Sequence, residues 1–222
     1  MASIYSISEL VKEVKVILDR NQEKDALLTP EDSDTLSQGE LIESKLVDAA
    51  KIIEWNAPKE KIDYRLTAEE NGTTENIGSY FYRMEHLPTN FWRLLNVSCK
   101  DWERNATIIS EDDERAKMVR NKWRVCGTLE QPIAVVKMHE EGGSYVESYV
   151  MKEKDHLPKI IYLPMPKIES GNITLCTDIK DAILYMAASL VCVSLGDNDT
   201  AAWLRSVAYQ LANIVEPQET QE

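Results

Sequence analysis

The sequence is poor in the residue patterns on which most chemistry depends. Histidine occurs three times in 222 residues, as His86, His139 and His156, each in a stretch expected to be loop. No HExxH motif and no helical i, i+4 pair is present, so neighbouring acids such as Glu85, Glu140 and Asp155 do not complete a recognisable ligand set. The four cysteines, Cys99, Cys126, Cys176 and Cys192, are widely and irregularly spaced and form no zinc or redox motif. Neither a GxSxG elbow nor a cysteine-nucleophile signature occurs. Gly142-Gly143 lies between two strand candidates rather than at a strand-to-helix junction, which makes it a turn and not a phosphate cradle. There is no Walker sequence. On this reading no catalytic residue, cofactor or metal is assigned, and an enzyme is not expected.

Basic residues are also in deficit. Lys and Arg total 25 against 38 Asp and Glu, a formal charge of -13. General nucleic-acid binding needs clustered cations to neutralise phosphate, and that balance argues against it. An acidic surface still suits a wall past which DNA slides, because like charge does not hold the backbone; plain solubility is the simpler reading. The N-terminus, MASIYSISELVKEV, lacks a basic segment followed by an apolar run, so no secretory signal is expected and reduced thiols in a cytoplasmic setting follow. The Asn-X-Ser/Thr matches at Asn71, Asn96 and Asn172 are then chance. The longest apolar run, Ala182 to Leu195, is about 14 residues and falls short of the roughly 20 needed to cross a bilayer, so no membrane partner is expected.

What is present is helical pattern at both ends. Ser6 and Glu9 have capping-box spacing, and Leu10, Val11, Val14, Ile17 and Leu18 continue one stripe, predicting a helix over 7–21. Residues 22–34 are polar and contain Thr29-Pro30, a loop signal. Ser37 and Glu40 form a second box before the stripe Leu41, Ile42, Leu46, Ala49, Ala50 and Ile53, which Ala57-Pro58 ends. At the other end, helices are expected over 177–195 and 199–213, separated by Gly196 and capped by Asp197 and Asn198. The first of these is apolar on nearly every side, interrupted only by Ser189 and Ser194, and such a helix needs neighbours all round. Burial in a core, with the two N-terminal stripes packed on this C-terminal pair, or burial between subunits would each supply them, and Ile183, Met186, Leu190 and Trp203 are the candidates for a subunit interface.

The middle differs in kind. Ile62, Tyr64 and Leu66 alternate as a possible strand, 69–79 is polar with the turn dipeptide Asn71-Gly72, and 91–97 is a strand candidate. Ser110 and Asp113 box a short charged helix over 111–121, after which 123–126 is apolar. Residues 133–138 and 145–151 flank the turn at 139–144 as a hairpin. A further strand, 159–163, is placed nearby, closed by Pro164 and Pro166 at a sheet edge or beyond it. The expected fold is α+β: a helical body from residues 1–58 and 173–222 with a mainly β insertion over 59–172. Glu111 to Glu114 read as acids complementing a helix dipole rather than as a cation site. Lys117, Arg120, Lys122 and Arg124, with Trp123, read as a solvated face or a contact for an acidic partner. Among the aromatics, Phe91, Trp92 and Trp102 fall near strands and Trp55 and Trp203 near helix ends. Tyr145 and Tyr149, on one strand face, are candidates for exposed partner contacts, with ordinary cross-strand packing as the alternative.

The plan of these elements resembles bacteriophage head-to-tail connector proteins, the adaptor or gatekeeper rings beneath the portal. The resemblance lies in the capped helix DTLSQGELIESKLVDAAKIIE (34–54), the extended insertion, and the run DAILYMAASL (181–190) followed by GDNDTAAWL (196–204) and a closing helix. The mixture of acidic helical body and β insertion is similar to ring proteins of crAss-like phages. The resemblance implies a homo-oligomeric ring, commonly dodecameric, in the virion neck, assembled in the host bacterial cytoplasm. Its partners would be the portal protein, the next tail or ring protein, and double-stranded DNA passing through the lumen without sequence-specific binding. A cytoplasmic protein-binding module using the insertion, or an enzyme with a cleft between body and insertion, are the other expectations.

Overall fold

A computed structural model describes residues 3–21, 38–77, 79–118, 127–138 and 143–215. The predicted loop at 22–34, the cap at Ser37, and Arg120, Lys122, Trp123, Arg124, Cys126, His139 and Gly142 lie outside the described residues, as does the side chain of Lys117. The architecture is α+β, with helices at both ends and strands between, as the sequence predicts. The chain forms two compact units, one of Met1–Tyr64 with Pro166–Glu222 and one of Arg65–Met165.

The first unit opens with strand β1 (Ser3–Ser6), then helix α1 (Ile7–Asn21) and helix α2 (Gln38–Asn56). Their predicted stripes are the faces they bury: Leu10, Val14 and Leu18 on α1, and Ile42, Leu46, Ala49, Ala50 and Ile53 on α2, are all at most 1% exposed. Ala57-Pro58 stops α2, and a 3-10 turn (Lys59–Lys61) leads to the buried Ile62 where the alternation had suggested a strand.

The second unit is built from strands. β2 (Leu66–Thr67), β3 (Thr73–Ile77), β4 (Tyr80–His86), β5 (Phe91–Ser98) and β6 (Thr107–Ser110) precede a five-residue helix, α3 (Glu114–Met118); β7 (Ile133–Met138), β8 (Ser144–Met151) and β9 (Lys159–Pro164) follow it. They make a five-stranded sheet in the order β3-β4-β8-β7-β6 and a three-stranded sheet in the order β2-β9-β5. The β7-β8 hairpin is the one predicted, with Met138 opposite Ser144. The strand at 159–164 is not beside that hairpin. It is the central strand of the other sheet, and Pro164 ends it opposite Phe91, where a missing amide interrupts least. One core joins residues of both sheets, among them Leu94, Val97 and Ile160 with Ala134, Val146 and Met151.

The chain then returns to the first unit through β10 (Ile168–Glu169) and β11 (Asn172–Leu175). β11 pairs antiparallel with both β10 and β1, in a three-stranded sheet that the sequence did not announce. A 3-10 turn (Thr177–Ile179) feeds helix α4 (Lys180–Ser194), and α5 (Asn198–Ala212) follows. Gly196 turns the chain at φ 83°, and the Asp197 carboxylate accepts the Thr200 amide at 3.1 Å as the predicted cap. Asn213 ends α5 in the left-handed region, with the Ile214 amide donating to the Tyr209 carbonyl at 2.8 Å.

Candidate functional site

Helix α4 finds its neighbours within its own unit. α1, α2 and α5 all pack on it, and Ile183 and Met186 are 0% and 2% exposed. These two proposed interface residues are therefore core residues, because three helices of the same chain already cover the apolar surface that a partner subunit was expected to bury. Ser189, one of the two breaks in the apolar run, is buried and donates to the Ala201 carbonyl at 2.7 Å, tying α4 to α5. Ser194 bonds back to the Leu190 carbonyl at 2.9 Å. Leu190 is half-buried. Trp203 is 52% exposed, and with the half-buried Val207 and the exposed Leu211 it places an apolar row at i, i+4, i+8 spacing on α5. Of the four candidates, Trp203 alone presents an open aromatic surface.

A shallow groove of about 220 Å³ lies between α1 and α4, lined by Glu13, Val16, Ile17, Asp181, Leu184 and Tyr185. Lys180 holds one rim, with Nζ 2.6 Å from a Glu13 carboxylate oxygen and 5.1 Å from the centre of the Tyr5 ring.

The other proposed contact pair separates in the same way. Tyr145 is half-buried, but Tyr149 is 3% exposed and is not a docking residue. Its ring stacks on Tyr82 at 5.5 Å between centroids and 12° between planes, and its hydroxyl donates to the fully buried Glu147 carboxylate. Lys137 Nζ, 2.9 Å away, supplies the countercharge to Glu147. Tyr82 in turn donates to Glu75. The stack forms at a bulge: Phe81 pairs with Met151 and Arg83 with Ser148, so Tyr149 and Val150 together stand opposite Tyr82. Val150 takes φ 67°, a conformation that costs a β-branched residue about 1–3 kcal/mol. Its carbonyl is satisfied by the Trp102 Nε1–H at 2.9 Å.

A second buried acid explains the dipeptide Asn71-Gly72, which precedes β3 rather than joining two strands. The hairpin joins β3 and β4 with Ile77 opposite Tyr80. Asn71 and Gly72 precede β3 and donate their amides to the Glu85 carboxylate, the Gly72 bond being 3.0 Å. Arg83, buried on the same strand, pairs with Glu85 and donates to Thr74 Oγ1 at 3.1 Å. A Cβ at Gly72 would lie 2.0 Å from the Met84 carbonyl oxygen, so only glycine fits.

His86 is exposed, whereas His156 is engaged at both ring nitrogens. Nδ1 is 2.5 Å from Asp101 Oδ1, and Nε2 is 3.2 Å from Glu153. Cys99 lies close by, but its thiol donates to the His156 carbonyl at 3.2 Å rather than to the ring, and burial pushes its pKa up. That geometry deprives the thiol of a base and leaves it a poor nucleophile. The carboxylate run at 111–114 behaves as capping chemistry. Asp113 accepts the Arg115 amide at 2.9 Å and its guanidinium at 3.0 and 2.7 Å, which together bring its pKa down to about 2. Among the described residues, no group of three or more His, Cys, Asp or Glu side chains is arranged to hold a metal ion, and no helix is long and apolar enough to cross a membrane.

A further buried acid belongs to the first unit and was not anticipated. Glu54, 1% exposed on α2, faces the Cys176 amide and thiol, with Asp63 near enough to act on its charge. Burial pushes its pKa from 4.5 up to about 8. Its position was a signal: Glu54 follows Ala50 by four residues and lies on the stripe that buries Ala49, Ala50 and Ile53. No protein-family model matches the chain, and no curated protein matches it.

Proposed function

We propose that this protein is a structural component of a bacteriophage head-to-tail connector. It assembles as a ring beneath the portal, extends and seals the DNA channel, and docks the next tail component. The observation that carries the reading is where the charge lies. The helical unit holds 22 acidic against 11 basic residues, so it accounts for -11 of the total -13, while the strand unit is close to neutral. A unit with a net charge of -11 suits a wall past which duplex DNA moves without its phosphates being gripped. With Ile183 and Met186 committed to the core, the contact between copies falls to the exposed row of Trp203, Val207 and Leu211 on α5.

The test is electron microscopy of the purified protein, alone and mixed with candidate portal and tail proteins. Rings with a hole wide enough for a duplex are expected in at least one of those samples. Single small particles in all of them would overturn the connector reading and favour a binding module of the strand unit, where Met138 is 78% exposed at the end of β7.

A further inference from the structure

Two apolar features of the helical unit stay in contact with water, and they differ in shape. One is convex. After its first turn α5 carries a single charged side chain, Arg205, in a chain of which 28% is charged. Its outer side is led instead by Trp203, 52% exposed, with the half-buried Val207 and the exposed Leu211 following at four-residue steps. A half-exposed indole on so uncharged a helix is surface that association would cover, and tryptophan is among the commonest anchors of protein contacts.

The other feature is concave. The groove between α1 and α4 holds about 220 Å³, and Val16, Leu184 and Tyr185 are among its lining residues. An apolar cavity of roughly 150 Å³ accommodates a benzene ring, so this groove has room for an indole. On its rim Lys180 is answered by Glu13 at 2.6 Å, which leaves Asp181, exposed in the first turn of α4, as the remaining charge. That charge is opposite in sign to Arg205, so a knob carrying one cation matches a groove carrying one anion. No residue of α5 lines the groove, and α5 packs on α4 and α2. One copy can therefore offer its knob while receiving another's. A contact between two different patches of the same chain is heterologous, and it repeats from copy to copy until the ring closes.

We propose that Trp203 of one copy seats in the α1–α4 groove of the next, against Val16, Leu184 and Tyr185, with Arg205 beside Asp181. The inference rests on the connector reading, whose contact between copies it completes by naming the surface that receives α5. A contact of α5 against α5 would leave the groove and Asp181 unused and would stop at two copies.

The experiment is sedimentation velocity of the full chain up to its solubility limit, with micrographs of the same samples. The samples are wild type, Trp203→Glu, Val16→Arg and an equal mixture of the two variants. Trp203 is 52% and Val16 47% exposed, so neither change enters the packed core, and thermal unfolding of each variant checks this. Wild type is expected to associate and close into rings. Trp203→Glu loses the knob and keeps the groove, whereas Val16→Arg plugs the groove and keeps the knob. Each alone is expected to sediment as a monomer. Their mixture is expected to give dimers and nothing larger, because it retains one intact contact and no means of adding a third copy.

Val16→Arg assembling as wild type does, or a mixture that stays monomeric, would overturn the contact, and rings from the wild type would still leave the connector reading in place. A wild type monomeric at every concentration would also overturn it, with the portal and tail mixtures deciding the connector reading separately. Open filaments from the wild type, with dimers from the mixture, would uphold the contact and remove the ring. Should either variant fail to fold, the charged pair decides: Arg205→Glu and Asp181→Arg are each expected to weaken association, and the chain carrying both is expected to regain it. Failure of that rescue would overturn the contact.

Discussion

Tyr82 and Tyr149 stack ring on ring across β4 and β8, 5.5 Å apart and 12° from parallel, and each donates a hydroxyl hydrogen bond to a glutamate, Glu75 and Glu147 respectively. Glu147 is wholly buried and has Lys137 as its countercharge. Removing only the Tyr149 hydroxyl takes a donor from a buried carboxylate while leaving the stack, so Tyr149→Phe is expected to cost about 1–3 kcal/mol. Tyr149→Ala also empties the ring site and is expected to cost about 3–5 kcal/mol. Urea denaturation of the two variants beside wild type measures both.

Gly72→Ala is expected to be among the most damaging single-methyl additions in this chain. The new Cβ meets the Met84 carbonyl at 2.0 Å and the Glu85 Cα at 2.9 Å, both backbone atoms that cannot swing aside. Relief requires Asn71 and Gly72 to withdraw their amides from Glu85, leaving a buried carboxylate with Arg83 as its main partner. A loss of about 3 kcal/mol or more in denaturant stability is expected.

Ile183 and Trp203 separate folding from assembly. Ile183→Ala leaves a cavity in a core that three helices enclose and is expected to cost about 2–5 kcal/mol. Trp203→Ala changes a half-exposed side chain and is expected to shift unfolding by less than about 1 kcal/mol. If α5 supplies the contact between copies, that same variant is expected to form none of the rings proposed for the wild type; rings of normal appearance in Trp203→Ala would remove α5 from the interface.

Acid should release the 151–158 connection. Burial works against the Asp101 carboxylate, but hydrogen bonds from the His156 ring and from the Lys152 and Glu153 amides outweigh it and hold its pKa below the ordinary carboxylate value. A depressed folded pKa gives stability that is present above the unfolded value of 3.8 and is lost as pH falls through the folded one. Asp101→Asn is therefore expected to flatten stability against pH below about pH 4. Fluorescence-detected unfolding of both proteins across that range gives the two slopes.

The described cysteines should be silent in the native protein. Cys99, Cys176 and Cys192 are buried, and burial pushes the Cys176 and Cys192 thiols up to about 12 and about 11. At neutral pH they are expected to resist alkylation until the chain is unfolded. Peptide mapping after a short iodoacetamide exposure, with and without denaturant, distinguishes the two states.

The helices were legible because their burial is periodic and local: Leu10, Val14 and Leu18, or Ile42, Leu46 and Ile53, mark their faces without any knowledge of partners. The strands that escaped did so for physical reasons. β3 is a sheet edge of threonine, glutamate and asparagine, and has no apolar alternation to display. On β4 the inward positions include Arg83 and Glu85, polar residues made acceptable by each other and by two amides some fourteen residues away. β1 exists only because β11, about 170 residues later, pairs with it. The all-round apolar character of α4 correctly announced neighbours on every side but did not say whose they were. Tyr145 and Tyr149 share a strand pattern, and only the bulge at Val150 decides that Tyr149 lies under Tyr82.

The central position of α4 in its unit also sets an order of events during synthesis. α1 and α2 emerge first, yet the helix on which they bury their stripes begins at Lys180, after all of Arg65–Met165 has been made. At 5–20 residues per second the ribosome needs on the order of ten seconds to cover that gap. Throughout it the two N-terminal helices have no permanent cover, while the strand unit has its whole sequence once Met165 is made, before α4 begins. The nascent chain is thus expected to complete its second unit first and to depend on chaperone protection of its first until α4 arrives.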